Sequence, residues 1–239
     1  MIDIHNHILF DIDDGAEDLD TCIEMCADAY KNGCTAIAVT PHFFKYNKLE
    51  AFIRERDEKI KILRNILKNE DILLEVYSGA ELFLSDEIFE AKNLEALTIN
   101  HSRYMLCEFP LGPFDVERVP MWIDELISRG YTPIVAHPER YVEFHYNFHI
   151  IDELIDRNVI FQVNIDSLNG RNGREPQAMA VDMVRRKIAK LIATDAHDLE
   201  YRHTRIKEKF KYLPDSITEE MLEFCMNKIP KKILKNEEI

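Results

Sequence analysis

Short β-rich runs alternate with helical stretches along this whole chain, and nearly every run closes on a side chain able to hold a metal ion. The runs are "IDIH", "TAIAVTPH", "LEVYSGAE", "RYMLCEF", "TPIVAHP", "VIFQVN" and "KLIATDAH". Strand and helix in alternation imply parallel strands with helices outside, because each helix carries the chain back to the end where the next strand starts. Such a sheet is either open or closed into a barrel. An open sheet spreads its strand ends along a line, whereas a barrel gathers them around one mouth at the C-terminal face. His7, His42, Glu81, Glu108, His137 and Asp195 with His197 stand at those ends, so the expectation is an α/β chain closed into a barrel.

The intervening stretches carry helix signals. In "EDLDTCIEMCADAYKNG" the apolar positions Leu19, Cys22, Ile23, Cys26, Ala27 and Tyr30 follow the spacing of one buried helix face, and Asn32 and Gly33 supply the stop. Lys48 to Asn69 reads as a long charged helix, and Asp115 to Arg129 as another, closed by Gly130. "NGRNGREP" is a polar, glycine-bearing loop. No linker, repeat or low-complexity tract divides the chain, and 239 residues suit one domain over 1–239, with disorder expected only in the "KNEEI" tail.

Asp3 and His5 occupy the place where a secretory signal would begin its apolar run, so the first residues read as folded protein. No run approaches the roughly 18 apolar residues of a membrane span. Five scattered cysteines, an odd count, suit reduced thiols and a cytoplasmic location. Cys22 and Cys26, one helical turn apart, read as core packing. Thirty basic residues against 44 acidic ones give a net charge of −14, which repels a polyanion and makes nucleic acid a poor partner. Carboxylates that bind divalent cations count as bare charges until the metal is added, so part of this acidity can be local in origin.

Residues two apart in a strand point to the same side, so His5 and His7 project together, as do Asp195 and His197. Glu81, Glu108 and Asp195 lie in mostly apolar runs and need cationic partners to stay charged. Asp11, Asp13 and Asp14 could be a solvated loop, a helix cap or ligands; Asp14, beside Gly15, is favoured as the ligand because that loop can fold back over His5 and His7. Imidazole and carboxylate without a thiolate set suit Mn²⁺, Fe²⁺ or Zn²⁺. The candidates outnumber what one ion can use, so two or three ions are expected. His101, His145, His149 and His203 read as ordinary hydrogen-bonded residues.

The segments "MIDIHNHILFDIDDGAEDL", "TPH", "SGAEL", "SRYMLCEFP", "GYTPIVAHPERY" and "TDAH" resemble, in order, the polymerase and histidinol phosphatase (PHP) superfamily. Within it they resemble the bacterial manganese-dependent tyrosine-protein phosphatases of capsule and exopolysaccharide operons, from Met1 to the terminal "IPKKIL". That resemblance implies a distorted seven-stranded (β/α) TIM-like barrel with a trinuclear metal site. The implied ligands are His5, His7, Asp14, His42, Glu81, Glu108, His137, Asp195 and His197, with Glu81 bridging and Mn²⁺ as the foremost metal. It also implies Arg140 and Arg202 as phosphate-binding residues. The family often carries an "RP" step where this chain has "YRHTRIK", so Arg205 stands as an alternative to Arg202, which spacing favours. The implied partner is a membrane-associated bacterial tyrosine kinase with a tyrosine-rich tail, and the implied role is control of capsule or exopolysaccharide assembly.

The chemistry is intelligible from the residues. Divalent ions lower the pKa of a bound water and hold phosphate oxygens for in-line attack, while arginines cover the remaining oxygens. No C-x₅-R loop follows Cys107 or Cys225, so a cysteine nucleophile is not expected. A phenolate leaving group, with a parent pKa near about 10, needs less protonation than a serine alkoxide. Phe43, Phe44 and Tyr141 directly follow site residues and could either line a pocket for an aromatic ring or serve as ordinary barrel-rim packing, whereas Trp122 reads as core. Rival readings are a histidinol-phosphate or other small-molecule phosphatase, a nuclease of the same superfamily, an amidohydrolase, and a catalytically silent metal-binding module that docks onto another protein.

Overall fold

The computed structural model describes residues 1–239. In chain order the elements are β1 (Ile2–Asp3), α1 (Leu19–Lys31), β2 (Ala36–Val39), β3 (His42–Phe43), α2 (Leu49–Asn69), β4 (Glu75–Ser78), β5 (Glu81–Phe83), β6 (Tyr104–Glu108), α3 (Val119–Ser128) and β7 (Thr132–Ala136). There follow α4 (Val142–Tyr146), α5 (Phe148–Asp156), β8 (Ile160–Asn164), α6 (Ile165–Leu168), α7 (Arg174–Arg185), β9 (Ala189–Ala193), α8 (Ile206–Phe210), α9 (Glu219–Glu223) and α10 (Ile229–Leu234). Asp18 caps α1 by accepting from the Thr21 backbone N–H, and Pro120 sits in the first turn of α3, where its missing N–H costs no helical bond.

Every strand pairing is parallel. The strands form two hydrogen-bonded sheets, β1-β2-β4 and β3-β5-β6-β7-β8-β9, which differs from the single closed sheet expected. The division arises because two of the seven runs are broken. "TAIAVTPH" stops at Thr40 and Pro41, and a proline cannot donate to a ladder. "LEVYSGAE" stops at Gly79, where a Cβ would meet Thr40 Cγ2 at 3.0 Å and the Val39 carbonyl oxygen at 3.3 Å. The two breaks therefore pack against each other, and a side chain at Gly79 would have to push Thr40 aside by a few tenths of an ångström. Arg56, fully buried on α2, donates to the carbonyl oxygens of Gly79 at 2.9 Å and Ala96 at 2.7 Å.

An isolated parallel bridge joins Asn6 to Ala196, where the chain continues beyond β1 and β9. Asn6 also accepts from the Thr40 N–H and donates from its side chain to the Ala38 carbonyl. Strand alternation sends Leu106, Ile134, Ile160 and Leu191 into one apolar cluster and Cys107, Val135, Phe161 and Ile192 into another, so both faces of the larger sheet are buried. Cys22 and Cys26 pack with Met25, Ile60 and Leu63 between α1 and α2, and all five cysteines are free and buried. Each large aliphatic side chain buried in this way contributes about 1.5–3 kcal/mol.

The "KNEEI" segment is docked, since Asn236 accepts from the Arg103 backbone N–H at 2.9 Å. Trp122 is in the core, with its indole N–H donating to Asp86 at 2.8 Å. No helix is long and apolar enough to cross a membrane.

Candidate metal centre

The metal-capable side chains converge because they stand where the strand runs end or break. His42 and Glu81 lie just beyond the ends of β2 and β4, at the first positions of the short β3 and β5, Glu108 closes β6, and His137 and Asp195 follow β7 and β9. His137 and Asp195 have left-handed backbones, with φ of 34° and 51°. A non-glycine residue held there costs on the order of 1 kcal/mol, and the turn aims each side chain at the common centre.

Glu81 is the hub. It is fully buried and presents Oε1 to His137 Nε2 at 2.9 Å and to His5 Nε2 at 3.2 Å. Its Oε2 faces His42 Nδ1 at 3.1 Å and His7 Nε2 at 3.2 Å. One carboxylate thus straddles two sets of imidazoles. Four groups have ligand atoms close enough to share an ion: His7, Asp14, His42 and His197; His5, His7 and Glu81; His5, His137 and Asp195; and His42, Glu81 and Glu108. Together they contain all nine candidates from the sequence, and His5, His7, His42 and Glu81 each occur in two groups. Of the nine, Asp14 alone lies at the solvent lip, with its Oδ1 3.4 Å from His42 Nε2 and 3.5 Å from His197 Nε2.

The electrostatics follow from this packing. Burial pushes the Glu81 carboxyl up, but His5, His137 and His7 outweigh it and hold the group well below the usual carboxylate range. Burial likewise raises Asp195, and His5, Arg202 and His137 bring it well below its ordinary value. Glu108 is pushed up by burial and by the Glu81 charge, with His42 opposing. Burial disfavours the charged form of His7, yet Asp13 and Glu81 raise its pKa well above the ordinary histidine value.

The donor set fits divalent cations on a structural ground. Among the buried polar atoms left without a hydrogen-bond partner are His42 Nδ1, Glu81 Oε2, Glu108 Oε1, His137 Nδ1 and His197 Nε2. His42 Nδ1 and Glu108 Oε1 approach to 2.7 Å, but not in the alignment of a hydrogen bond. Clustered lone pairs of this kind are costly in a dry interior unless a cation receives them.

Three histidines are oriented from behind. His5 Nδ1 lies 2.7 Å from Gln162 Oε1, His7 Nδ1 2.6 Å from Asp13 Oδ2, and His197 Nδ1 2.9 Å from the Asp195 carbonyl oxygen. Each of these outer contacts fixes its ring so that Nε2 faces the centre. Gln162 in turn donates to Asn164, and Asn164 donates to Asp195 Oδ2 at 2.7 Å. The fully buried Glu139 accepts from the Asn164 backbone N–H at 2.9 Å. Gln162, Asn164 and Glu139 carried no signal that separated them from ordinary strand and turn residues. Asp13 was visible only as one of three acids in a loop.

Arg140 and Arg202 both reach this centre. Arg140 Nη1 donates to Asp195 Oδ2 at 2.9 Å and Arg202 Nη2 lies 2.7 Å from Asp195 Oδ1. Arg205 points elsewhere, to Asp28 at 3.0 Å and Glu208 at 3.2 Å. Of the three aromatics considered as pocket walls, two are core residues. Phe43 is buried against Phe52, and Tyr141 is fully buried with its hydroxyl accepting from the Phe109 N–H at 3.0 Å. Phe44 is half exposed, with its ring 5.1 Å from that of His42. His145 and His149 bind Glu139 and Glu117, while His203 lies apart, 3.4 Å from Arg171.

Comparison with known proteins places this geometry in context. Residues 1–235 match the family described as capsular polysaccharide synthesis, CpsB/CapC. CapC of Staphylococcus aureus is 36 % identical over 219 residues, covering 88 % of this chain and 82 % of that one. The tyrosine-protein phosphatase YwqE of Bacillus subtilis is 31 % identical over 247 residues, covering 100 % and 93 %. The crystal structures of YwqE from Bacillus subtilis and CpsB from Streptococcus pneumoniae, described as unique metal-dependent tyrosine phosphatases, include a chain that superposes with a TM-score of 0.86. That match has 29 % identity and covers 100 % of this chain and 96 % of the other.

Proposed function

This chain belongs to the capsular polysaccharide synthesis CpsB/CapC family, and from that premise we propose that it is a metal-dependent protein-tyrosine phosphatase. The observation that carries the reading is the meeting of two arginines on Asp195 at the edge of the nine-residue ligand cluster. Guanidinium groups beside a multinuclear carboxylate–imidazole site suit a phosphoryl group, whose oxygens need more positive charge than the ions alone give.

We assign two or three divalent ions, Mn²⁺ foremost and Fe²⁺ or Zn²⁺ as alternatives, to His5, His7, Asp14, His42, Glu81, Glu108, His137, Asp195 and His197. When bound, such ions supply activated water and a clamp for phosphate oxygens. The chain's own residues do the rest. Gln162 and Asp13 fix the rings of His5 and His7, Asn164 fixes Asp195, and Arg140 and Arg202 hold the phosphoryl oxygens. Phe44, beside His42, offers a face to the tyrosyl ring. The phenolate leaving group needs less protonation than a serine alkoxide would.

The two sheets form, on this reading, one distorted seven-stranded barrel in a single domain over 1–239. The broken runs β2–β3 and β4–β5 each count as one strand, and the Asn6–Ala196 bridge joins the first strand to the last. The relatives' names support a phosphotyrosine protein as substrate. We assign as partner a membrane-associated bacterial tyrosine kinase with a tyrosine-rich tail, acting in control of capsule or exopolysaccharide synthesis, and place the enzyme in the cytoplasm. The test is turnover after chelation and return of Mn²⁺, comparing a phosphotyrosine peptide, a phosphoserine peptide and histidinol phosphate. Manganese-dependent preference for phosphotyrosine is expected. Preference for histidinol phosphate would move the function to small molecules, and no turnover with any metal would refute the enzyme reading.

A further inference from the structure

The charge of this chain is unevenly placed. Against a net −14, the ten residues from Arg202 to Lys211 hold five basic side chains, Arg202, Arg205, Lys207, Lys209 and Lys211, and one acid, Glu208. The run starts at the arginine that reaches Asp195 and ends beside a cavity of about 550 Å³ lined by Arg171, His203, Lys209, Lys211, Glu200 and Glu208, among others. The cavity lies on the same rim as the metal centre. Arg171 belongs to the loop after α6, which directly follows β8, His203 follows Arg202 directly, and the buried Lys209 pairs at 2.7 Å with Asp166, two residues beyond Asn164.

The cations lining it are not all spent. Asp166 neutralises Lys209, and Arg205 engages Glu208, but Arg171 and Lys211 pair with no carboxylate. Arg171 Nη1 instead approaches the ring nitrogen His203 Nε2 at 3.4 Å. Burial first, then the Lys209 and Arg205 charges, depress the His203 pKa, with Asp166 opposing. An acidic protein repels an anionic substrate over most of its surface, so the two cations left unpaired in this cavity, Arg171 and Lys211, mark a place near Arg202 where an anionic group of such a substrate can rest.

We propose that this cavity is a second anion subsite, held by Arg171 and Lys211, that takes an anionic side chain of the phosphotyrosine peptide near its reacting residue. The group is a carboxylate or a second phosphate. The inference rests on the phosphatase reading and adds to it a substrate class: peptides in which the phosphotyrosine has acidic or phosphorylated neighbours.

The test uses the metal-loaded full chain and three phosphotyrosine peptides, with neutral flanks, with glutamates, and with a second phosphotyrosine. Non-hydrolysable phosphonate versions give binding independently of turnover. The variant Arg171→Ser/Lys211→Ser changes exposed residues, and Arg186→Ser, at the opposite end of the strands, controls for general loss of charge. In wild type, KM for the anionic peptides should fall below that for the neutral one by about fivefold to tenfold, with kcat similar, and the double variant should erase that difference. Turnover of phosphotyrosine itself should be unchanged. A preference for the glutamate peptide equal to that for the doubly phosphorylated one assigns the subsite to charge alone, whereas preference for the latter assigns it to phosphate. Equal KM values for all three peptides in wild type, or a preference that survives the double variant, would overturn the subsite while leaving the phosphatase reading intact. If turnover fails but phosphonate binding still depends on Arg171 and Lys211, the subsite stands and the phosphatase reading falls.

Discussion

Replacing Gly15 with alanine should disable the centre without unfolding the chain. A Cβ at Gly15 would lie 1.9 Å from the His7 carbonyl oxygen and 2.6 Å from His7 Cβ. Contacts below 3.0 Å are not tolerated, so the loop must retreat by about 1 Å, and the atoms it meets belong to backbone that cannot yield. The retreating segment carries Asp13 and Asp14. Asp13 would lose its 2.6 Å contact with His7 Nδ1 and its 3.0 Å bonds from the backbone N–H groups of His42 and Gly15. A forced overpacking of this kind costs about 1–3 kcal/mol, which a domain with the usual 5–15 kcal/mol or so of stability survives. The site is less forgiving, because a displacement of roughly 1 Å can reduce a catalysed rate about 10²-fold. Circular dichroism should show a folded variant with a modestly lower Tm, metal titration should show weakened binding, and kcat/KM on a phosphotyrosine peptide should fall by about two orders of magnitude. Full activity and metal binding in Gly15→Ala would refute the argument that this loop orients His7.

Arg202→Ala should lower kcat/KM by about 10²-fold or more through loss of a charged contact to the phosphoryl group, whereas Arg205→Ala should leave kinetics intact and cost about 0.5–1 kcal/mol of stability; the reverse pattern in a kinetic and urea-melt comparison would reassign the two. Tyr141→Phe should cost about 1–3 kcal/mol, because the buried Phe109 N–H loses its acceptor, with kcat/KM unchanged, since the hydroxyl faces the core. In the chelated chain His5, His7 and His42 have raised pKa values. Their stabilisation is complete below the unfolded histidine value of about 6.5 and is lost as pH climbs through the raised folded values. His197, whose pKa is lowered by burial and by His7, works in the opposite sense. His203, lowered by burial and by Lys209, acts in that same opposite sense, and both effects are complete by about pH 6.5; above it the three raised groups decide, so Tm of the chelated protein should decline from about pH 6.5 upward, and a Tm flat or rising over that range would contradict the assignment.

Much of the centre was legible because strand ends in a parallel α/β chain converge, and imidazoles and carboxylates in apolar runs have few other uses. The period of two also explains how the aromatics divide. His42 and Phe44 face one side and Phe43 the other, so adjacency to a ligand in sequence sent Phe43 into the core and Phe44 to the rim. Tyr141 failed for a different reason, since its ring and hydroxyl complete the packing around Phe109, a contact 32 residues away. Gln162 and Asn164 were hidden because a polar residue in a buried strand gives no sign of its partner. The sequence favoured Asp14 for its place beside Gly15 but gave no sign of the role of Asp13, as only the folded loop shows that Asp13 turns inward onto His7 while Asp14 reaches solvent. The division into two sheets follows from Pro41 and Gly79, whose breaks fall inside runs that otherwise read as continuous strands.

The most direct test of the account is a count of metal: crystals of the chelated chain soaked in Mn²⁺, with anomalous scattering recorded at the manganese edge. Two or three peaks among His5, His7, Asp14, His42, Glu81, Glu108, His137, Asp195 and His197, with Glu81 between two of them, are expected. A single peak, or peaks away from Glu81, would contradict a multinuclear centre built on that carboxylate.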